Sequence, residues 1–181
     1  MKKLKVIGVS VLFIAFAWTE SIYSHSVPVI EGGNQPLSSY QGKKMLIVTL
    51  PLQQNASADS FLYALDTLAV AHTSNLVVIA VPSYEDGYTP AQKSTLQQWY
   101  RSKLGSYIVI TDGLYTRKTS GSQQHGLFRW LTDVTKNEVF DIDVTGDGYK
   151  FFVDGSGQLF SVLRPHTKMS SNAVQKTLQI Q

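Results

Sequence analysis

The sequence predicts an α/β protein in which helices cover both faces of a mixed central β-sheet. Apolar runs of strand length alternate with helical patterns through the middle of the chain, and two later strands flank a short Gly-rich turn. Helical crossovers join parallel strands, whereas a hairpin joins antiparallel ones, so the sheet should be mixed. With 181 residues, 43% of them hydrophobic and 16% charged, the chain has the size and composition of one globular domain.

The first strand–helix–strand unit is predicted from Met45 to Val81. Met45–Leu50 and Leu76–Val81 are continuous apolar runs, typical of strands that are buried on both faces. Between them, Ser57 is expected to cap a helix. The apolar positions spaced to form one face of that helix are Phe61, Leu62, Leu65, Leu68 and Ala69.

The second helix has a distinct start signal. Thr89 is a good capping residue, Pro90 suits the first helical position, and Gln92 completes a capping box. Gly105 marks its end. The apolar residues expected to face the core are Leu96, Trp99, Tyr100 and Leu104.

The remaining elements complete the sheet and its cover. Tyr107–Ile110 predicts a third strand and His125–Val134 a helix. Tyr149–Val153 and Leu159–Leu163 predict a hairpin, and Ser171–Gln179 a closing helix. This order of elements is that of a thioredoxin-like three-layer α/β/α sandwich.

The amino terminus resembles a secretory signal peptide. Three lysines within the first five residues precede an apolar run, Val6–Trp18, which is short for a membrane span of about 20 residues. Small residues at the two positions that a signal peptidase reads occur twice, at Ala15 and Ala17 and at Ser24 and Ser26. We therefore predict a signal peptide over residues 1–25, with cleavage between 17 and 26 and an uncleaved anchor as the open alternative.

The mature chain is then a single domain, residues 26–181, that is periplasmic or extracellular and has no stable membrane span. The formal charge of +3 comes largely from the leader: without Lys2, Lys3, Lys5 and Glu20, thirteen basic residues face twelve acidic ones. They form no basic stripe, which argues against nucleic-acid binding. The chain has no cysteine, which excludes disulfides, thiolate catalysis and cysteine-ligated metals.

Several segments carry a further pattern when they are taken in order. They are Pro36–Lys43 followed by Met45–Leu50, Val78–Ser83 with Gly87 and Pro90, His125–Leu131, and Lys150–Gly157 with Arg164. Together these segments resemble the glutathione peroxidase family. The similarity runs from about residue 32 to the end of the chain and implies the same thioredoxin-like fold.

The family's catalytic residues are not present at the matching positions. The peroxidatic cysteine or selenocysteine falls on Gln54, and the supporting glutamine on Glu85. The tryptophan and asparagine fall on Gly146 and Asp147. An amide cannot attack the O–O bond of a peroxide and be re-reduced, so we predict no thiol peroxidase chemistry, no catalytic residue at these positions and no cofactor.

The family's geometry implies that Gln54, Glu85 and Asp147 converge at the ends of neighbouring strands, where ligands bind in open α/β sheets. Such a site could bind a cation, an amine or a hydroxylated ligand, or it could be solvated and without function. We predict a non-catalytic binding or structural module for an unidentified protein or small ligand. Two alternatives stay open: an enzyme or ligand binder that uses Glu85 and Asp147, and an antioxidant role through a partner's thiol or a bound metal.

One segment partly fits a calcium-binding loop. Asp143, Asp147 and Asp154 occupy its first, fifth and twelfth positions, and Gly148 its sixth. Thr145 departs from the pattern at the third position, and a predicted strand interrupts the loop. The pattern therefore favours a Gly-rich turn before a strand, with calcium as a minor alternative.

Overall fold

The computed structural model describes residues 20–180. A short 3₁₀ turn, Ile22–Ser24, leads into a two-stranded antiparallel hairpin of β1 (Ser26–Pro28) and β2 (Asn34–Pro36). The sequence did not indicate this hairpin, because strands of three residues are too short to show an alternating pattern.

The central sheet has five strands in the order β5-β4-β3-β6-β7. The first three along the chain are parallel, β6 is antiparallel to β3, and β7 is antiparallel to β6, which confirms the mixed sheet. β3 is the middle strand, and its Val48 lies opposite Ala80 of β4 and Lys150 of β6. The strands are β3 (Lys44–Thr49), β4 (Leu76–Val81), β5 (Ile108–Ile110), β6 (Lys150–Val153) and β7 (Leu159–Leu163).

Residues 20–180 contain five α-helices: α1 (Ala56–Ala71), α2 (Lys93–Lys103), α3 (Gly126–Thr132), α4 (Val134–Asn137) and α5 (Asn172–Gln179). The cap of α1 differs from the prediction, since Asn55 Oδ1 accepts from the backbone N–H of Ala58 at 2.9 Å. Asn55 has an extended backbone and Ser57 already lies inside the first turn, so Ser57 cannot be the cap.

The capping box at Thr89 forms as predicted. The side-chain oxygen of Gln92 accepts from the backbone N–H of Thr89 at 3.1 Å. The residues Pro90–Gln92 form a 3₁₀ turn, and the regular α-helix begins one residue later, at Lys93.

The alternation of side chains along β3 builds two separate cores. Leu46 and Val48 point to the face covered by α1, α2 and α5, and Met45 and Ile47 point to the face covered by α3. All four side chains are fully buried. The three-layer thioredoxin-like arrangement is therefore confirmed.

The segment before β1 belongs to the second core. Ile22 is fully buried there, and the indole N–H of Trp130 donates to the backbone carbonyl of Glu20 at 2.7 Å. The basic and apolar parts of the predicted leader lie outside the described residues. Within residues 20–180, no helix has the length and apolar character needed to cross a membrane.

Two histidines near this segment should make stability depend on pH. Burial lowers the pKa of His25 and of His125, and the charge of Arg129 adds to both effects, while Glu20 opposes the one on His25. His125 also caps α3, because its Nδ1 accepts from the N–H of Leu127 at 3.3 Å. The unfolded chain, with histidine pKa values near 6.5, takes up protons that the folded chain resists.

We therefore expect the melting temperature to fall as the pH is lowered from about 7 towards 5. Each kcal/mol of unfolding free energy that is lost in this way should lower the melting temperature by about 2–4 °C. The double variant His25→Gln/His125→Asn should flatten this profile, because Asn keeps a capping acceptor without titrating. Scanning calorimetry across this pH range measures both profiles. Equal slopes for the wild type and the variant would contradict the assignment.

Candidate functional site

The candidate site lies at the carboxyl ends of β3 and β4, where the chain also enters β6. The loop after β3 runs to the start of α1 at Ala56, and the loop after β4 contains a short 3₁₀ turn, Tyr84–Asp86. The turn Gly146–Gly148 approaches the same end because β6 is antiparallel to β3. The thioredoxin-like fold thus brings three loops to the sheet edge where such folds bind ligands.

A shallow cleft with a volume of about 270 Å³ lies between these loops, and we call it the Asp147 cleft. A second hollow of about 240 Å³ adjoins it and shares Pro51, Asn55 and Asp147 with it. The polar side chains of the Asp147 cleft are carboxylates and amides, so it is rich in hydrogen-bond acceptors. Its lining residues are Leu50, Pro51, Leu52, Gln53, Asn55, Asp86, Gly146 and Asp147.

Asp147 is exposed at the rim of the cleft, yet its carboxylate is perturbed. Partial desolvation raises its pKa, and the negative charge of Asp86 raises it further, while Lys150 opposes both. A neighbouring carboxylate that disfavours the charge of Asp147 in this way makes a cation or an ammonium group favourable in the cleft.

Lys150 lies beneath the cleft and is fully buried. Its ammonium group donates to the backbone carbonyl of Gly148 at 2.6 Å and lies 5.8 Å from the centre of the Phe61 ring. Burial lowers the pKa of Lys150 to about 8, against the opposing effect of Asp147. Its charge therefore compensates Asp147 from below, although the lysine is not part of the cleft lining.

Asp86 is the second carboxylate of the cleft, and only one of its oxygens is paired. Its Oδ1 forms an ion pair with Arg117. Its Oδ2 and the Nε of Arg117 are both buried and have no hydrogen-bond partner in the protein. Because both atoms belong to the same ion pair and neither is accessible to solvent, Asp86 lines the cleft as a member of that pair.

Glu85 has a different role from its neighbour. One carboxylate oxygen accepts from Ser83 Oγ at 2.8 Å and from the N–H of Thr116 at 3.0 Å, and the other from the N–H of Arg117 at 2.9 Å and from Ser120 Oγ at 2.5 Å. Burial would raise its pKa, but these hydrogen bonds outweigh it and lower the pKa to about 2. Glu85 thus holds two loops together and lines neither part of the site.

The structure separates the three residues that the sequence placed together. Gln54 lines another cavity, of about 200 Å³, beside Gln92 and Trp99 of the α2 region. Asp147 shares the cleft instead with Gln53, the sequence neighbour of Gln54, and with Asp86, the sequence neighbour of Glu85. Adjacent side chains in a loop point in different directions, so a one-residue shift in the alignment exchanges a residue outside the cleft for one that lines it.

Gly146 lines the cleft with its backbone, in agreement with its family-equivalent position. The site residues that the sequence missed are Gln53, Asn55 and Asp86. Gln53 and Asp86 are the sequence neighbours of Gln54 and Glu85, and Asn55 caps the helix that follows. No sequence pattern distinguishes these residues from their neighbours.

The residues of the calcium-loop pattern are not gathered into a site. Asp143 Oδ1 accepts from the N–H of Lys118 at 2.9 Å, and Asp154 Oδ1 accepts from the N–H of Ser156 at 2.9 Å in the β6–β7 turn. Thr145 contacts the hydroxyl of Tyr149, and β6 separates Asp147 from Asp154. Across residues 20–180 no group of three or more His, Asp or Glu side chains is arranged to hold a metal ion.

Comparison with known proteins bears on the fold. No family model matches the chain. "Probable glutathione peroxidase 8" of Danio rerio is 26% identical over 154 residues, which cover 84% of this chain and 69% of that protein. Among solved structures, Trgpx in its apo form has a TM-score of 0.65 at 17% identity and covers 88% of this chain and 94% of its own.

Other solved structures show the same fold. GPX1 of T. cruzi has a TM-score of 0.62 at 16% identity and covers 88% of this chain and 95% of its own. A thioredoxin family thiol:disulfide interchange protein from Chlorobium tepidum has a TM-score of 0.60 at 14% identity, covering 90% and 98%. The chain is therefore a thioredoxin-like α/β protein. Within that class it is a divergent relative of the glutathione peroxidases that contains no cysteine.

The hydrogen bonds of Glu85 predict that it matters for stability. Glu85→Gln should lower the free energy of unfolding at pH 7 by about 1–3 kcal/mol, because charge-assisted hydrogen bonds to two loops are weakened. The difference from the wild type should shrink as the pH falls from 4.5 towards 2, since the pKa of Glu85 is lowered on folding from 4.5 to about 2.

Urea unfolding at pH 7 and at pH 4 measures both effects. Glu138→Gln is the matched control, since Glu138 is exposed and forms no ion pair within the described residues. A Glu85→Gln variant as stable as this control would contradict the structural role.

Proposed function

We propose that this protein is an exported binding or structural module, periplasmic or extracellular, that has lost the thiol peroxidase chemistry of its relatives. The proposed loss of this chemistry rests on the absence of cysteine from all 181 residues, because peroxide reduction by this route needs a thiolate or selenolate. The basic and apolar leader supports export. The similar proteins are named as a probable glutathione peroxidase 8 and as GPX1, and these names identify the chemistry that we propose was lost.

The Asp147 cleft is the binding site of this module. Asp86 and Asp147 line the same small space, and the carboxylate of Asp147 is exposed. Gln53 and Asn55 add amide groups at the entrance. An ammonium group, a cation or a hydroxylated molecule supplies the donors or positive charge that such a lining requires.

A catalytic use of the same pair is the second candidate. Asp147 has a raised pKa while Asp86 is held by Arg117, and carboxyl groups with such different surroundings can act as acid and base. This alternative differs from the one that the sequence suggested, because Glu85 is occupied by hydrogen bonds and Asp86 takes its place.

The proposed loss of chemistry predicts no peroxide turnover by the protein itself. Purified protein with hydrogen peroxide and glutathione should consume peroxide at the rate of a protein-free control, because no group can form a sulfenic or selenenic intermediate. A coupled NADPH assay measures this, with an active glutathione peroxidase as positive control. Turnover that survives a metal chelator would contradict the proposal, and turnover abolished by the chelator would support a metal-based antioxidant role instead.

The proposed binding site predicts which substitutions weaken binding. We expect calorimetric titration with calcium chloride, putrescine or glycerol to detect binding of at least one probe. Asp147→Asn and Asp86→Asn should each weaken that probe tenfold or more, because each removes a charge facing the ligand. Gln54→Ala is the matched control, since Gln54 lines another cavity and should leave the affinity unchanged.

Heat from none of the three probes would contradict ligand binding at the Asp147 cleft. An affinity that falls with Gln54→Ala but not with Asp147→Asn would place the site in the neighbouring cavity. A slow hydrolysis of p-nitrophenyl acetate that is lost in Asp147→Asn would favour the enzymatic alternative.

A further inference from the structure

The residues just before β1 are an integral part of the folded domain, and this bears on processing. We infer that, when the chain is exported, the leader is removed at the Ala15-Phe16-Ala17 motif and not at Ser24-His25-Ser26, so that residues 20–25 stay in the mature protein. The inference rests on the proposed export. It chooses between two motifs that the sequence leaves equivalent.

Ile22 is the central apolar anchor of this segment. Its side chain is fully buried in the core that lies between the sheet and α3, where Val27, Phe151 and Leu159 also lie. A chain that begins at Val27 would lack it and would leave an unfilled space in a close-packed core.

The body of the protein is shaped to receive the segment. Gly157 has φ +89°, and a Cβ at that position would lie 2.6 Å from the ring of Tyr23 and 3.2 Å from Cγ2 of Ile22. A Cβ on Gly126 would lie 3.3 Å from Nδ1 of His25. A side chain at Gly157 would therefore clash with the segment, and one at Gly126 would press against it.

Polar contacts also hold the segment from both ends. The Trp130 indole, 3% exposed, donates to Glu20, and the Tyr23 hydroxyl donates to the carbonyl of Gly155 at 3.0 Å. Lys136 forms an ion pair with Glu20 at 2.6 Å. Loss of residues 20–25 would leave the buried indole N–H without its acceptor, which is costly inside a core.

A signal peptidase reads small residues at two positions, and both motifs satisfy it. Cleavage after Ser26 would discard every contact described above, whereas cleavage after Ala17 keeps them all. The folded structure therefore favours cleavage at the first motif, because the mature chain then loses none of these contacts.

The test is to express the full chain in a Gram-negative bacterium with a carboxyl-terminal tag and to measure its intact mass after fractionation. We expect a periplasmic protein that begins at Trp18. A17L should block processing and S26L should not, because each places a large residue at the position before one candidate bond. A periplasmic protein that begins at Val27, or an uncleaved protein in the membrane fraction, would overturn the inference. An uncleaved protein in the cytoplasm would instead contradict the proposed export.

A second measurement tests the physical reason independently of the peptidase. Two chains expressed without a leader, one beginning at Trp18 and one at Val27, should differ in melting temperature by about 5–15 °C in favour of the longer one. Within the longer chain, Ile22→Ala should lower the melting temperature and the exposed Ser24→Ala should not. Equal melting temperatures for the two chains would overturn the inference.

Discussion

The structure depends on β3, a strand that is buried on both faces and paired on both edges. Its four central side chains alternate between two cores, so α1, α2, α3 and α5 each pack into a core to which β3 contributes. A protein without disulfides has to obtain its stability from such burial, at roughly 25 cal/mol for each Å² of apolar surface removed from water. The position of β3 also determines where the loops of the candidate site meet.

The same strand explains why a charged residue can lie inside the protein. Lys150 of β6 is opposite Val48, at the end of the sheet where the polar loops begin. Its side chain is fully buried, and its ammonium group donates to the carbonyl of Gly148 and lies 5.8 Å from the centre of the Phe61 ring. The ammonium group of Lys150 therefore lies at the boundary between the apolar core and the Asp147 cleft. Its positive charge favours a cleft that is rich in hydrogen-bond acceptors.

Two neighbouring acidic residues show how one loop divides structural and binding roles. Glu85 is saturated by hydrogen bonds from two segments and fixes the loop, whereas Asp86 lines the cleft and pairs with Arg117. Here the loop is held by a carboxylate with a lowered pKa, a group that would disfavour a nearby anion. This loop therefore suits a site without a thiolate, and the chain has no cysteine to form one.

The sequence determined the central strands, the main helices and the hairpin of β6 and β7, because apolar periodicity and turn residues record burial directly. It also determined that thiol chemistry is impossible, since that needs only the absence of cysteine. Only the tertiary structure decided that Gln53 and Asp86, and not Gln54 and Glu85, share the cleft with Asp147. It likewise showed that Ile22 belongs to the core. Loop direction and long-range packing decide such points, and neither leaves a periodic signal in the sequence.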